Sequence, residues 1–152
     1  MQQIELVRTD ATNVHFIEMV RKLDAYLTLV DGEEHGFYDQ YNQLQSIRHV
    51  VLAYAGQRPI GCGAIKAHSE DAMEVKRMFV HPEERQRGVA SLVLRELERW
   101  AGELGYRKTI LETGRRMRDA VAFYQKHQYI QIPNYGQYIG VTNSICFEKS
   151  LV

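Results

Sequence analysis

The stretch VHPEERQRGVASLVLRELERW, residues 80–100, brings arginines, a glycine and a helix start to one turn. A β-branched and aromatic run ends at Val80, a short charged turn leads to Gly88, and an apolar stripe at helical spacing begins at once. A helix N-terminus exposes amides that lack intrahelical partners and carries the positive end of the helix dipole, so an anion such as a diphosphate is stabilised there. Gly88 removes a side chain at the point of closest approach. Arg85 and Arg87 can add charge-assisted hydrogen bonds, with Arg77 on the preceding strand. Glycine near a helix start is equally common in solvated loops, so the turn by itself is compatible with both readings. Neither Gly-x-x-x-x-Gly-Lys-Ser/Thr nor Gly-x-Gly-x-x-Gly is present, which excludes the P-loop and dinucleotide fingerprints.

Glu74 is the second group with chemistry to offer. It lies six residues before Val80 on a predicted strand, so alternation places the two on one face unless a bulge intervenes. An ordinary carboxylate is a weak base toward an ammonium, so base work requires partial burial or a relaying water. An ion pair with Lys76, two residues on along the same face, satisfies the spacing as well. The six histidines are scattered over different elements without metal-ligand spacing, and no Cys-x-x-Cys exists, so no metal is expected. Gly-x-Ser-x-Gly is absent too, and with it any support for a serine nucleophile.

The elements that must position these groups follow from periodicity. QIELVR (3–8) alternates as a half-buried strand, and Phe16, Ile17, Val20, Leu23 and Leu27 recur at helical spacing from Thr12 to about Leu29. DGEEHG (31–36) is turn-rich, and residues 37–44 can form a short second helix. HVVLAYA (49–55), PIGCGAIKAH (59–68) and AMEVKRMFV (72–80) predict an antiparallel meander. The helix opening at Gly88 presents Val89, Leu92, Val93, Leu97, Trp100, Ala101 and Leu104 on one face and is capped by Gly105. KTILET (108–113) is the next strand, and the helical crossover makes it parallel to the strand ending at Val80. A second amphipathic helix spans Asp119 to about His127, followed by YIQIP, the aromatic loop NYGQY and a last strand, SICFEKSL (144–151).

With 152 residues and neither linker nor repeat, the chain is read as a single domain, 1–152. Lysine plus arginine balances aspartate plus glutamate, 19 against 19, so no overall field favours nucleic acid or an anionic membrane, and neither is expected as a partner. MQQIELVRTD shows neither the basic nor the apolar region of a signal peptide, which sets the expectation of a cytoplasmic chain. Cys62 and Cys146 are expected as buried, unpaired hydrophobes.

Arg85-Gln86-Arg87-Gly88-Val89-Ala90 resembles the Gln/Arg-x-x-Gly-x-Gly/Ala signature of the GNAT superfamily of N-acetyltransferases, in the same strand-loop-helix setting. EVKRMFVHPEERQRGVASLVL, LGYRKTILETG and AVAFYQKHQY match three successive family blocks in order, so the resemblance covers most of the chain. It implies an α/β fold: a mixed, mostly antiparallel twisted sheet of six or seven strands, helices on both faces, and a central parallel pair that splays at the cofactor site. It implies acetyl-CoA as cosubstrate, its pyrophosphate held by the main chain of Arg85, Gln86, Arg87, Gly88, Val89 and Ala90, with Ser91 adding a hydroxyl. The pantetheine arm is expected along Met78, Phe79 and Val80, and Thr113, Ala120, Phe123 and Lys126 are expected to complete the donor site. The Val80 amide is the implied oxyanion donor, Glu74 the implied general base and Tyr124 the implied acid that protonates the departing thiolate, although an ordinary phenol is a weaker acid than a thiol, so a stabilising hydrogen bond could be its larger contribution.

Two positions depart from the family pattern. Met117 replaces an asparagine that often contacts pantetheine, and Gln128 replaces a helix-capping glycine, at a cost of about 1 kcal/mol if that residue is left-handed. The acceptor pocket is expected in the loops DGEEHGFYDQY and PNYGQYIGVTN, where Glu33, Glu34 and Asp39 could receive a cation and Tyr38, Tyr135 and Tyr138 offer walls and hydroxyls, although such acids also occur on solvated surfaces. The acceptor is expected to be a small-molecule amine or amino-acid-like compound. A catalytically idle acyl-CoA sensor is the alternative, and exposed tyrosines of the late loop with the edge of the last strand could support a homodimer.

Overall fold

The computed structural model describes residues 3–31 and 47–152. In chain order the elements are β1 (Ile4–Thr9), α1 (Val14–Asp31), β2 (His49–Ala55), β3 (Arg58–Ala67), β4 (Ala72–Val80), α2 (Val89–Glu103), β5 (Lys108–Gly114), α3 (Arg118–Lys126), β6 (Ile130–Ile132) and β7 (Ser144–Ser150). The strands form a seven-stranded sheet in the order β1-β2-β3-β4-β5-β7-β6. All neighbours are antiparallel except β4 and β5, the pair joined by the α2 crossover.

Each face of the sheet is covered because each helix has one apolar stripe to bury. Asn13 starts α1, its Oδ1 accepting from the His15 amide at 2.9 Å. This cap sets the helix start two residues later than the apolar periodicity suggests. Phe16, Met19, Val20 and Leu23 of α1 pack on Val50, Leu52, Cys62, Ala64 and Phe79. On the opposite face Val89, Val93, Leu94, Leu97 and Ala101 of α2 pack on Val51, Ile65, Met73 and Val75. A fully buried leucine such as Leu94 or Leu97 contributes about 2 kcal/mol by area. Leu92 and Leu104, expected in this stripe, instead point outward, 36% and 44% exposed. The buried row follows Val89, Val93, Leu97 and Ala101 at four-residue steps, which leaves those leucines on its flank.

The register between β3 and β4 changes abruptly. Cys62 faces Phe79 but Ala64 faces Lys76, so Arg77 and Met78 together oppose Gly63. This is a β-bulge, with Arg77 left-handed at φ 59°. Gly63 makes room for it, since a Cβ there would lie 2.6 Å from the Met78 sulfur. The bulge corrects the expectation from simple alternation. Met73, Val75 and Val80 join the core under α2, with Met78 packed against it, whereas Phe79 packs under α1, so Glu74 and Val80 do not share a face.

Two further expectations are revised. Tyr138 is 3% exposed and its ring meets Tyr135 edge-on at 5.7 Å, so the late-loop tyrosines form a wall and are not an exposed dimer patch. β7 is not an edge strand, for β6 pairs on its outer side. Cys62 and Cys146 are buried and unpaired, as expected.

Candidate active site

Strands β4 and β5 pair only through Ala72/Lys108, Met73/Thr109 and Glu74/Ile110. Beyond Glu74 they separate, and a cleft opens between them, lined by Glu74, Lys76, Met78, Glu112, Tyr124 and Tyr138 among others. Residues 75–80 therefore present an open main-chain edge toward β5. The His81 amide donates to the Ile60 carbonyl of β3 at 3.0 Å, so by strand alternation the Val80 amide points the other way, into the gap.

The turn after β4 concentrates amides. Pro82–Glu84 form one 3-10 turn, after which Gln86 and Gly88 both adopt left-handed conformations, at φ 65° and 79°. Gly88 is the N-cap of α2 and has no capping side chain. Among the described residues the amides of residues 86–91 make no backbone hydrogen bond, and the next in line, Leu92, is the first to do so, at 3.1 Å from the Gly88 carbonyl. A Cβ built on Gly88 meets nothing within 4 Å, so the space before these amides is open. Such alternating conformations at a helix start make an anion-binding concavity.

The arginines of this turn have specific partners. Buried Glu84 accepts from Arg58 and Arg87, and the hydrogen bond from Arg58, more than any other influence, holds its carboxyl below the usual range. Arg85 turns back, its Nε donating to the Val80 carbonyl at 3.1 Å. Both expected arginine contributions are thus spent in part on shaping the loop. Ser91 Oγ lies 2.9 Å from Nε2 of His127, the residue that caps the end of α3, a hydrogen bond that ties the two helices beside the open amides.

Glu74 is 7% exposed at the base of the cleft. Its Oε2 accepts from the Tyr135 hydroxyl at 2.6 Å, and its Oε1 lies 3.7 Å from Lys76 Nζ. The carboxylate is therefore both partly buried and ion-paired, combining two readings that spacing alone left as alternatives. Burial lowers the Lys76 ammonium from its ordinary value, opposed by the Glu74 charge. Burial also raises the Tyr135 phenol well beyond the ordinary range, with the Glu74 charge adding to it. Tyr135 thus stays a neutral donor.

Tyr135 and Tyr138 reach the cleft because Asn134 pins their loop. Its Nδ2 lies 3.1 Å from the carbonyls of Tyr138, Val141 and Ser144. Glu112 of β5 adds a second carboxylate, which accepts from Ser144 Oγ at 2.7 Å.

Tyr124 of α3 is 8% exposed and lines the cleft from the β5 side with Thr113, Met117 and Ala120. Burial, reinforced by the Glu112 charge, raises its phenol well above the ordinary range. Thr113 Oγ1 donates to Met117 Sδ at 3.9 Å. The Phe123 ring of α3 meets those of Tyr124 and of His127, the capping residue, at 5.2 and 4.6 Å, whereas Lys126 is exposed at the helix end. The helix closes with the Gln128 amide on the Gln125 carbonyl and the Tyr129 amide on the Tyr124 carbonyl, both at 3.0 Å. Gln128 is left-handed at φ 74°, the conformation expected of the missing glycine.

The structure thus gathers Glu74, Met78, Thr113, Ala120, Tyr124 and Tyr138 at one cleft, with the Val80 amide facing the same gap and Tyr135 reaching it through Glu74. Gln86, Gly88, Val89, Ala90 and Ser91 follow at the turn beyond Val80, and Phe79 lies on the opposite, α1 side. Glu33, Glu34, Tyr38 and Asp39 lie outside the described residues. Sequence reasoning did not find the Tyr135–Glu74 bond, the Glu84 clamp or the Ser91–His127 contact. Two adjacent acids, Glu83 and Glu84, precede the arginines, so the sequence signalled an acid for the clamp without telling which of the two is buried, whereas the other two contacts depend on tertiary approach. No group of three or more His, Cys, Asp or Glu suited to a metal occurs among the described residues. No helix among them is long and apolar enough to cross a membrane.

Residues 15–129 match the model of the acetyltransferase (GNAT) family. An IAA acetyltransferase from Azospirillum brasilense is 30% identical over 154 residues, covering 99% of this chain and 100% of that protein. Among solved structures, a protein from Klebsiella pneumoniae assigned as an acyl-CoA N-acyltransferase aligns with a TM-score of 0.83 at 24% identity, over 99% of both chains. A GNAT family acetyltransferase from Elizabethkingia anophelis with acetyl-CoA bound aligns with a TM-score of 0.71 at 20% identity, over 97% of both chains. At these identities the solved structures establish the fold: a mixed sheet with one parallel pair and helices on both faces.

Proposed function

Because this chain belongs to the acetyltransferase (GNAT) family and is an acyltransferase, we propose that it moves an acetyl group from acetyl-CoA to the primary amine of a small-molecule or amino-acid-like acceptor. The observation that carries this reading is one continuous path: the open edge of residues 75–80 leads directly into the unpaired amides of residues 86–91. The acetyl-CoA bound to the Elizabethkingia relative supports the choice of donor.

The main chain of Arg85, Gln86, Arg87, Gly88, Val89 and Ala90 would hold the pyrophosphate. The Ser91 hydroxyl can join them when His127 Nε2 donates to its oxygen, which leaves the hydroxyl hydrogen for the phosphate. The pantetheine arm would pair with the edge of Met78, Phe79 and Val80, opposite Thr113 and Ala120 of the cleft, with Phe123 and Lys126 of α3 completing the donor site.

The acceptor nitrogen then attacks the thioester carbonyl. A carbon–nitrogen bond forms, the carbon–sulfur bond breaks, and the nitrogen proton passes to Glu74, directly or through one water. The Val80 amide, aimed into the gap, meets the developing oxyanion. A raised Tyr124 phenol is a weaker acid than a free one, so its part is a hydrogen bond to the departing thiolate, which takes its proton from solvent. Direct attack is favoured over an acetylated cysteine. Cys62 is fully buried and its thiol is pushed up to about 12, chiefly by burial.

Measuring free thiol release from acetyl-CoA across a panel of amines tests the reading. Sequential ternary-complex kinetics are expected with at least one acceptor. Background release with every acceptor, or ping-pong kinetics with an acetyl-enzyme, would contradict it.

A further inference from the structure

Lys76 is a costly residue to bury, and its ion pair with Glu74 leaves its hydrogen-bond donors facing the cleft. The side chain is 7% exposed and lines the cleft, yet its ammonium makes no hydrogen bond among the described residues. Its nearest anion is Glu74 Oε1 at 3.7 Å, beyond hydrogen-bond reach. An ammonium has three donors, and as the Lys76 Nζ is not sealed from solvent, they open to the cleft. The neighbouring cation is differently placed, since Arg77 donates to Asp24 of α1 at 2.6 Å. Glu74 is likewise anchored, through Tyr135. Lys76 therefore presents unused donors to the same cleft in which Glu74 and Glu112 present carboxylates.

A simple cationic amine would be drawn to the two carboxylates and repelled by Lys76. A molecule carrying both charges matches the arrangement, its ammonium beside Glu74 and its anion on Lys76. We infer that the acceptor is an amino-carboxylate, an amino acid or close analogue, and that Lys76 selects it by binding the carboxylate while the amine faces Glu74. The inference rests on the transferase reading above and names the substrate class of that same cleft. Lys76 acts here as a specificity-determining residue, and Glu74 receives the amine proton.

The test compares initial rates of thiol release for each proteinogenic amino acid, its decarboxylated amine and its carboxamide, with the native chain and with Lys76→Gln and Lys76→Arg. For at least one amino acid, kcat/KM should exceed that of its amine and carboxamide by ten-fold or more, roughly the range of one charge-assisted contact. In Lys76→Gln that ratio should collapse because the acceptor KM rises for the amino acid and not for its decarboxylated amine, and Lys76→Arg should restore part of it. Acetyl-CoA affinity, measured in parallel, reports that each variant is folded. Amines turned over as well as amino acids, or a ratio unchanged in Lys76→Gln, would overturn the inference and leave the transferase reading standing. An equal loss for amino acid and amine would overturn it as well, since a purely structural lysine would behave that way. No release with any compound would remove both.

Discussion

The Tyr135 hydroxyl donates to Glu74 Oε2 at 2.6 Å, joining residues 61 positions apart in the chain. The bond fixes one carboxylate oxygen and leaves the other toward Lys76 and the cleft. It also links the late aromatic loop to the strand that carries the proposed base.

Glu74→Gln should lower kcat by about 100-fold or more, the scale of general base catalysis, with donor KM within about two-fold of native. Tyr135→Phe should have a smaller effect in the same direction, since it frees the carboxylate without removing it. Steady-state kinetics with varied acetyl-CoA measure both. Undiminished turnover in Glu74→Gln would remove its role.

Two glycine substitutions separate donor binding from packing. Gly88→Ala places a side chain at φ 79° in the open space before the amides, so donor KM should rise at least about ten-fold, with a stability loss of about 1–2 kcal/mol. Gly63→Ala drives a Cβ into Met78, Leu97 and Val93, and should cost about 1–3 kcal/mol by overpacking. Urea denaturation beside donor titration distinguishes them, and a Gly88→Ala protein with native donor affinity would contradict the proposed seat.

Gln128→Gly should stabilise the fold by about 1 kcal/mol, because Gln128 is left-handed at the end of α3 while the Tyr124 and Tyr129 rings pack across it at 5.7 Å. The melting temperature should rise by about 2–4 °C. A lower melting temperature would show that the Gln128 side chain contributes more than its backbone strain costs.

Alkaline pH should unfold the protein through its buried tyrosines. Burial is the largest cause that raises Tyr124, Tyr129, Tyr135 and Tyr138 above the ordinary phenol value. A folded-state value above the unfolded one gives stability that is complete below the unfolded value and is lost as pH climbs toward the folded one. Lys76, shifted the other way by burial, opposes this trend, because the cost of its buried charge shrinks as it deprotonates. Four tyrosines outweigh one lysine, so the melting temperature should fall progressively above about pH 10. A flat profile from roughly pH 9 to 11 would contradict the assignment.

Most elements were legible because they are written in local period and punctuation. The meander of β2, β3 and β4, the crossover through α2 and the parallel entry of β5 lie within a residue or two of their expected bounds. The left-handed Gln128 was legible from a missing glycine. The bulge at Arg77 and Met78 was not, because it depends on Gly63 across the sheet and on a left-handed arginine that no local pattern marks. Leu92 misled because it lies close to the apolar row of α2 without belonging to it. The Tyr135–Glu74 bond requires Asn134 to gather three carbonyls, a tertiary arrangement that spacing does not encode.

Isothermal titration of acetyl-CoA and coenzyme A into the purified chain tests the amide cradle most directly. Saturable binding in the micromolar range is expected for both, weakened in Gly88→Ala. Titration to millimolar coenzyme without heat of binding would contradict a donor site along β4 and the start of α2.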